Sequence, residues 1–159
     1  MHFPIYVELA DKKIIVIGGG AVALRRVETL LPFGCAVHVI AKKACRELVQ
    51  RAERGELTLC ARAYREGDCA GADYVLAATD CAEVNAAVAA EARTLGIPVN
   101  TSDCKENCDF YFPAVVQTDE LVIGITSDGK DHTLVRDTAA HLRKLLYRKS
   151  ERERDDHES

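Results

Sequence analysis

No apolar run in the sequence approaches the roughly 20 residues that a membrane-spanning helix needs, so no membrane partner is expected. Positive charge is not in excess either. Twenty-one Lys and Arg stand against 25 Asp and Glu, for a formal net charge of -4, which argues against a protein that holds nucleic acid by neutralising phosphates. The opening residues Met1-His2-Phe3-Pro4 lack the basic-then-apolar pattern of a secretory signal. A disulfide framework is also missing. The seven cysteines (Cys35, Cys45, Cys60, Cys69, Cys81, Cys104 and Cys108) are an odd number scattered through otherwise regular segments, as reduced thiols would be. Together these absences lead us to expect a cytoplasmic protein. Cys104 and Cys108 stand four apart, but no second pair at zinc-site spacing accompanies them, and no metal is expected. Internal repeats are absent. What is present is a chain of 159 residues with 48% hydrophobic residues, enough for one domain with a real core.

The run Ile14-Ile15-Val16-Ile17 is β-branched and ends at Gly18, Gly19 and Gly20, after which Ala21 to Leu31 offers good helix formers with apolar residues at helical spacing. Pro32, Phe33 and Gly34 stop that helix, and Ala36 to Ile40 resumes as a strand. A helix from about Ala44 to Arg54 ends at Gly55, a third strand is read at Leu57 to Cys60, and a fourth at Tyr74 to Ala78. A helix from Ala82 to Leu95 closes at Gly96, and fifth and sixth strands follow at Pro98 to Asn100 and Leu121 to Ile125. This alternation predicts an α/β fold, a Rossmann-type doubly wound parallel sheet with right-handed crossovers and a short C-terminal helical extension. The expected layout is a nucleotide-binding domain over 1–113, a strand and helix over 114–148, and a charged tail over 149–159, which has no apolar side chain with which to order itself.

Gly18-Gly19-Gly20-Ala21-Val22-Ala23 is the G-x-G-x-x-A form of the dinucleotide fingerprint, placed between a strand and a helix as the fingerprint requires. Gly18 permits the tight turn, Gly20 lets the backbone approach a pyrophosphate, and Ala23 lets helix and strand pack closely. The helix start at Ala21 and Val22 faces the anion. An acidic residue that would hold the ribose 2′-hydroxyl of NAD is missing after the second strand, where Lys42 and Lys43 stand instead. Two ammonium groups there suit a 2′-phosphate, or are ordinary solvated residues, which leaves both NAD and NADP open. Thr79 and Asp80, at the end of the fourth strand, either cap the next helix or line the cofactor groove. The irregular stretch Thr101 to Pro113 leaves the carboxyl end of the fifth strand, where open α/β sheets place their ligands. Its Asp103 is either an Asx-turn or helix-cap residue or a carboxylate that accepts a proton.

Taken together, the short motifs resemble the precorrin-2 dehydrogenase family, which includes the N-terminal module of bacterial siroheme synthase. The resemblance runs through Pro4-Ile5-Tyr6-Val7, the glycine turn with Val22-Ala23 and Arg25-Arg26, Ala77-Ala78-Thr79-Asp80 with Asn85, and Val99-Asn100 with Asp103. It continues through Cys108-Asp109-Phe110 and Phe112-Pro113-Ala114 to Arg136. The resemblance implies an enzyme: NAD-dependent dehydrogenation of the tetrapyrrole precorrin-2 to sirohydrochlorin on the way to siroheme, cobalamin or haem, with metal insertion added in some relatives. It implies Asp103 as the catalytic residue and a homodimer as the assembly. A substrate rich in carboxylates calls for cationic groups and hydrogen-bond donors. Lys130, His132 and Arg136 offer the former, and Ser127 matches the family's serine. The loop departs from the family's S-T/S-G-G-x-S-P pattern, reading Thr126-Ser127-Asp128-Gly129-Lys130-Asp131-His132. Asp128 and Asp131 should repel an anionic substrate unless they face away or are neutralised by Lys130 and His132. A non-catalytic nucleotide or tetrapyrrole carrier with a diverged loop is the alternative.

Overall fold

The computed structural model describes residues 2–157, with side chains through 146. The chain divides into two units, Val7–Phe110 and 1–6 with 111–159, here called the sheet unit and the hairpin unit.

The sheet unit begins with β1 (Lys13–Ile17), α1 (Ala21–Leu30), β2 (Ala36–Ile40), α2 (Arg46–Glu53) and β3 (Thr58–Cys60). It continues with β4 (Tyr74–Ala77), α3 (Ala82–Thr94) and β5 (Val99–Thr101). All five strands are parallel, in the order β3-β2-β1-β4-β5. The chain moves outward from β1 to β3 and then returns to the other side of β1 at β4, so the strand order reverses between β1 and β4. In open α/β sheets the ligand crevice lies at such a reversal, outside the carboxyl ends of the strands. Register brings those ends level, with Ile17 opposite both Ile40 and Ala77.

Because helices cover both faces, the central strands are continuous apolar runs rather than alternating ones. Ile14 to Ile17 are all at most 3% exposed. Period-2 alternation still sorts their side chains. Ile15, Ile17, Val75, Ala77 and Val99 pack with Val88, Ala89 and Ala92 of α3 in one core, while Ala23, Val27 and Leu30 of α1 and Leu48 of α2 are buried as well. The connection from β3 to β4 is fastened to α3 by Glu91, whose carboxylate accepts from Gly67 N and Cys69 N at 3.0 Å each and from the Tyr64 hydroxyl. Burial and that carboxylate push the Tyr64 hydroxyl upward, and burial raises the Cys69 thiol to about 12.

The hairpin unit holds β6 (Ala114–Gln117), β7 (Val122–Ile125) and α4 (His132–His157). Here the sheet departs from expectation. The strand at Leu121 to Ile125 does not join the parallel sheet but pairs antiparallel with β6, a strand not read from the sequence. The four residues between them close a tight turn, in which Thr118 N donates to Leu121 O and the Thr118 hydroxyl accepts from Glu120 N and Leu121 N. A connection that short joins only antiparallel strands, because a parallel neighbour needs a crossover of a dozen residues or more. Arg143 of α4 donates to Val115 O at 2.9 Å, and Ala139 and Val116 are buried. Residues 1–6, expected within the nucleotide domain, cluster instead with this unit through Tyr6, whose hydroxyl donates to Val122 O, and His2, which meets Asp128. The expected tail at 149–159 lies outside the residues whose side chains are described.

Candidate functional site

The glycine turn is built by three close backbone contacts. Gly18 N donates to Ile40 O at 2.9 Å, Gly19 O accepts from Cys45 N at 2.8 Å, and Ala78 N donates to Ile17 O at 2.7 Å. Gly18 has φ +126°, a conformation that side chains disfavour, and a Cβ on it would stand 2.2 Å from Ala78 O. A Cβ on Gly19 would stand 2.3 Å from Lys43 O. The middle glycine therefore has its own structural reason: it lets the loop after β2 close over the turn.

Gly20 differs from both. A Cβ there would meet nothing within 4 Å, so the backbone opens onto free space. Gly20 is the N-cap of α1, with no side-chain cap and no acidic residue in the first turn, and the first helical bond is Leu24 N to Gly20 O. The N–H groups of Ala21, Val22 and Ala23 thus precede the first intrahelical bond, at the positive end of the helix dipole. Ala23 is fully buried and Val22 is 38% exposed, so the first packs the helix down while the second contributes backbone only. An open cradle at Gly20 beside uncapped amides fits the pyrophosphate of a dinucleotide.

Around this cradle, the side chains of Lys42 and Lys43 are exposed, while the Lys43 carbonyl forms the contact to Gly19. Thr79 is half-buried, and its backbone and hydroxyl are taken up by Asn85 and Cys81. Asp80 is exposed and is not the helix cap: the N-cap of α3 is Cys81, whose thiol donates to Glu83. Asn85, which sequence reasoning left without a role, is the residue that organises this corner. Its spacing of six from Thr79 was the only local signal.

The loop after β5 is tied down by its own residues. Val99 N donates to the Asp109 carboxylate at 2.9 Å, Asp109 N returns a bond to Val99 O at 2.8 Å, and Asn100 Nδ2 donates to Phe110 O at 2.7 Å. Thr101 donates through its hydroxyl to Cys104 O and through its N–H to the Cys108 sulfur. Cys108 is thereby a loop fastener. Burial lowers the guanidinium of nearby Arg26 to about 10, against an opposing pull from Cys108. Asp103, in contrast, is exposed, and its carboxylate makes no hydrogen bond or ion pair among the described residues, which removes the Asx-turn reading. Ser102, just before it, donates from its N–H to Ala77 O at 2.9 Å. The Asp103 loop therefore leaves the sheet beside Ala78, the peptide against which Gly18 is seated.

In the hairpin unit Ser127 closes the loop ahead of α4, its hydroxyl accepting from Asp131 N at 2.9 Å and donating to Asp131 O at 3.0 Å. Lys130, His132 and Arg136 are exposed, with Arg136 donating to Asp137. The two extra carboxylates are handled otherwise than expected. Asp128 is bonded to His2 at 2.7 Å, and that contact holds its carboxyl below the usual range, while Asp131 accepts from Leu134 N at 2.8 Å at the start of α4. Lys130 adds a weaker electrostatic pull on Asp128, behind the His2 bond. The fold brings His2 into reach from 126 positions away, whereas Leu134 N lies only three residues beyond Asp131 in the same helix-start turn.

A family model described as putative NAD(P)-binding matches residues 5–114. The chain is 40% identical over 135 residues to the siroheme synthase of Methylococcus capsulatus, covering 85% of this chain and 28% of that protein. It is 37% identical over 145 residues to the probable multifunctional siroheme biosynthesis protein HemA of Ruminiclostridium josui, covering 91% of this chain and 28% of that one. The chain thus spans little more than a quarter of the length of these relatives. Among solved structures, SirC, precorrin-2 dehydrogenase, shares the fold, with a TM-score of 0.74 at 23% identity over 91% of this chain and 71% of that one.

Proposed function

The chain belongs to the putative NAD(P)-binding family whose model spans residues 5–114, and on that premise we propose that it oxidises precorrin-2 to sirohydrochlorin in siroheme biosynthesis. The observation that carries this reading is the placement of Asp103, whose carboxylate is unbonded among the described residues, on a loop fastened at Ser102 to the strand end beside the glycine turn. NAD, when bound, supplies the hydride acceptor. Gly20 and the first amides of α1 hold its pyrophosphate. Asp103 accepts the proton that the tetrapyrrole loses as its hydride departs, a role open to a carboxylate with no competing partner among the described residues. Ser127, Lys130, His132 and Arg136 contribute donors and positive charge for the substrate's carboxylates. Engagement of Asp128 by His2 and of Asp131 by α4 removes the repulsion that the loop sequence suggests.

The assembly is a homodimer in this reading. Phe3, Ile5, Tyr6, Leu121, Val122 and Leu134 of the hairpin unit are all exposed apolar or aromatic side chains, of the kind that mark interaction surfaces when they gather, and in this reading a second copy covers them. Among the described residues no helix is long and apolar enough to cross a membrane. The seven free thiols suit the reducing cytoplasm.

Incubation of the purified chain with precorrin-2 and NAD, followed by the absorbance of sirohydrochlorin and NADH, tests the activity. Stoichiometric formation of both is expected. Dinucleotide binding without turnover overturns the enzyme reading and favours a carrier. Sedimentation equilibrium tests the dimer, and a monomer at micromolar concentration overturns that part.

A further inference from the structure

Asn85 is 1% exposed on α3, and its side chain spends every bond on one residue. Its Oδ1 accepts from Thr79 N at 3.1 Å and from the Thr79 hydroxyl at 2.8 Å, and its Nδ2 donates to Thr79 O at 3.1 Å. Thr79 lies two residues past the end of β4, where the sheet ladder no longer engages its peptide groups. The Asn85 amide stands in for the missing neighbouring strand, satisfying donor and acceptor together. The helix itself does not need this arrangement, since α3 starts at Cys81 without any side-chain cap.

The consequence reaches the glycine turn. Thr79 follows Ala78, and Ala78 O is the atom that a Cβ on Gly18 would meet at 2.2 Å, with Thr79 N itself at 3.1 Å from that Cβ. No slack lies between the two segments. We infer that Asn85 is a positioning residue for the dinucleotide: by clamping the Thr79 peptide it seats the Ala78 carbonyl against Gly18 and so sets the geometry of the pyrophosphate cradle. This inference rests on the dinucleotide reading given above.

Asn85→Asp separates positioning from mere support. A protonated carboxylic acid at this position offers one acceptor and one donor, as the amide does. Ionised, it turns a second negative oxygen toward Thr79 O and loses the donor, so the clamp opens as pH rises. We would titrate NADH fluorescence against the full chain, wild type and variants, from mildly acidic to mildly alkaline pH, with amide hydrogen exchange at Thr79 as a second readout. The expected ratio of variant to wild-type Kd for Asn85→Asp is near unity at the acidic end and climbs to about tenfold or more at the alkaline end. Thr79 exchange should quicken in parallel. Asn85→Ala should be weakened about tenfold at every pH. Folded Asn85→Asp with a pH-independent ratio overturns the inference, as does loss of folding at alkaline pH with affinity unchanged in the folded fraction. Should Asn85→Ala fail to fold, the Asn85→Asp titration still decides. Failure of the wild type to bind NADH or NADPH defeats the underlying reading, and the inference with it.

Discussion

The carbonyl oxygen of Ala78 occupies the space into which a side chain on Gly18 would project, 2.2 Å from the position of its Cβ. Ala78 N also donates to Ile17 O, so the end of β4 is bonded to the residue before the glycine and packed on the glycine itself. Two glycines of one motif are therefore glycine for opposite reasons. Gly18 is demanded by the fold, and Gly20, which faces open space, by what sits there.

Substitution should separate these demands. Gly18→Ala forces both a strained φ and a backbone clash, and is expected to cost about 3 kcal/mol in urea unfolding. Gly20→Asp introduces a favourable N-cap residue into an ordinary conformation, so stability should hold or rise. Its carboxylate occupies the anion cradle, however, and NADH affinity should fall at least about tenfold. Wild-type affinity in Gly20→Asp would place the pyrophosphate elsewhere.

Among the described residues the Asp103 carboxylate makes no bond that its loss would break, so Asp103→Ala should unfold within about 0.5 kcal/mol of the wild type. Its kcat for precorrin-2 oxidation should drop by roughly 100-fold or more while NADH affinity stays level. A variant with full activity removes Asp103 from the chemistry.

Lys42 and Lys43 present exposed ammonium groups beside the loop that closes on Gly19. Replacing both with Ala should weaken NADPH by about tenfold and leave NADH nearly unchanged. Equal effects on the two dinucleotides would reduce both lysines to solvated surface residues.

Asp68 accepts both arms of the Arg62 guanidinium at 2.7 Å and also Arg65 N. The Arg62 bonds, foremost, hold its carboxyl below the usual carboxylate value. A depressed carboxylate stabilises the fold above its unfolded pKa, about 4, and that contribution is lost as pH falls through the folded value. Asp68→Asn should therefore be less stable than the wild type at neutral pH, and the two unfolding curves should converge in acid. A difference that stays constant with pH would mean that the fork contributes through packing alone.

Much of the sheet unit was readable along the chain. The β-branched run at Ile14 to Ile17, the glycines after it, the helix stops at Gly34, Gly55 and Gly96, and the strand at Ala36 to Ile40 are local signals, and local signals survive folding. The hairpin unit was not readable in the same way. Ala114 to Gln117 is four residues long, too short to show a period, and nothing within Leu121 to Ile125 specifies which edge that strand pairs with.

The sequence by itself determined the α/β alternation, the glycine turn and the position of Asp103 beyond the fifth strand, since periodicity, turn chemistry and order along the chain need no knowledge of distant residues. Only the tertiary structure decided that β7 leaves the parallel sheet, that Lys43 O closes on Gly19 and that Asn85 rather than Asp80 governs Thr79. It likewise decided that His2, from the far end of the chain, bonds Asp128. Each of those outcomes depends on which segment comes to lie against which within its own unit, and that is settled by contacts between residues separated in sequence rather than by any stretch of chain read alone.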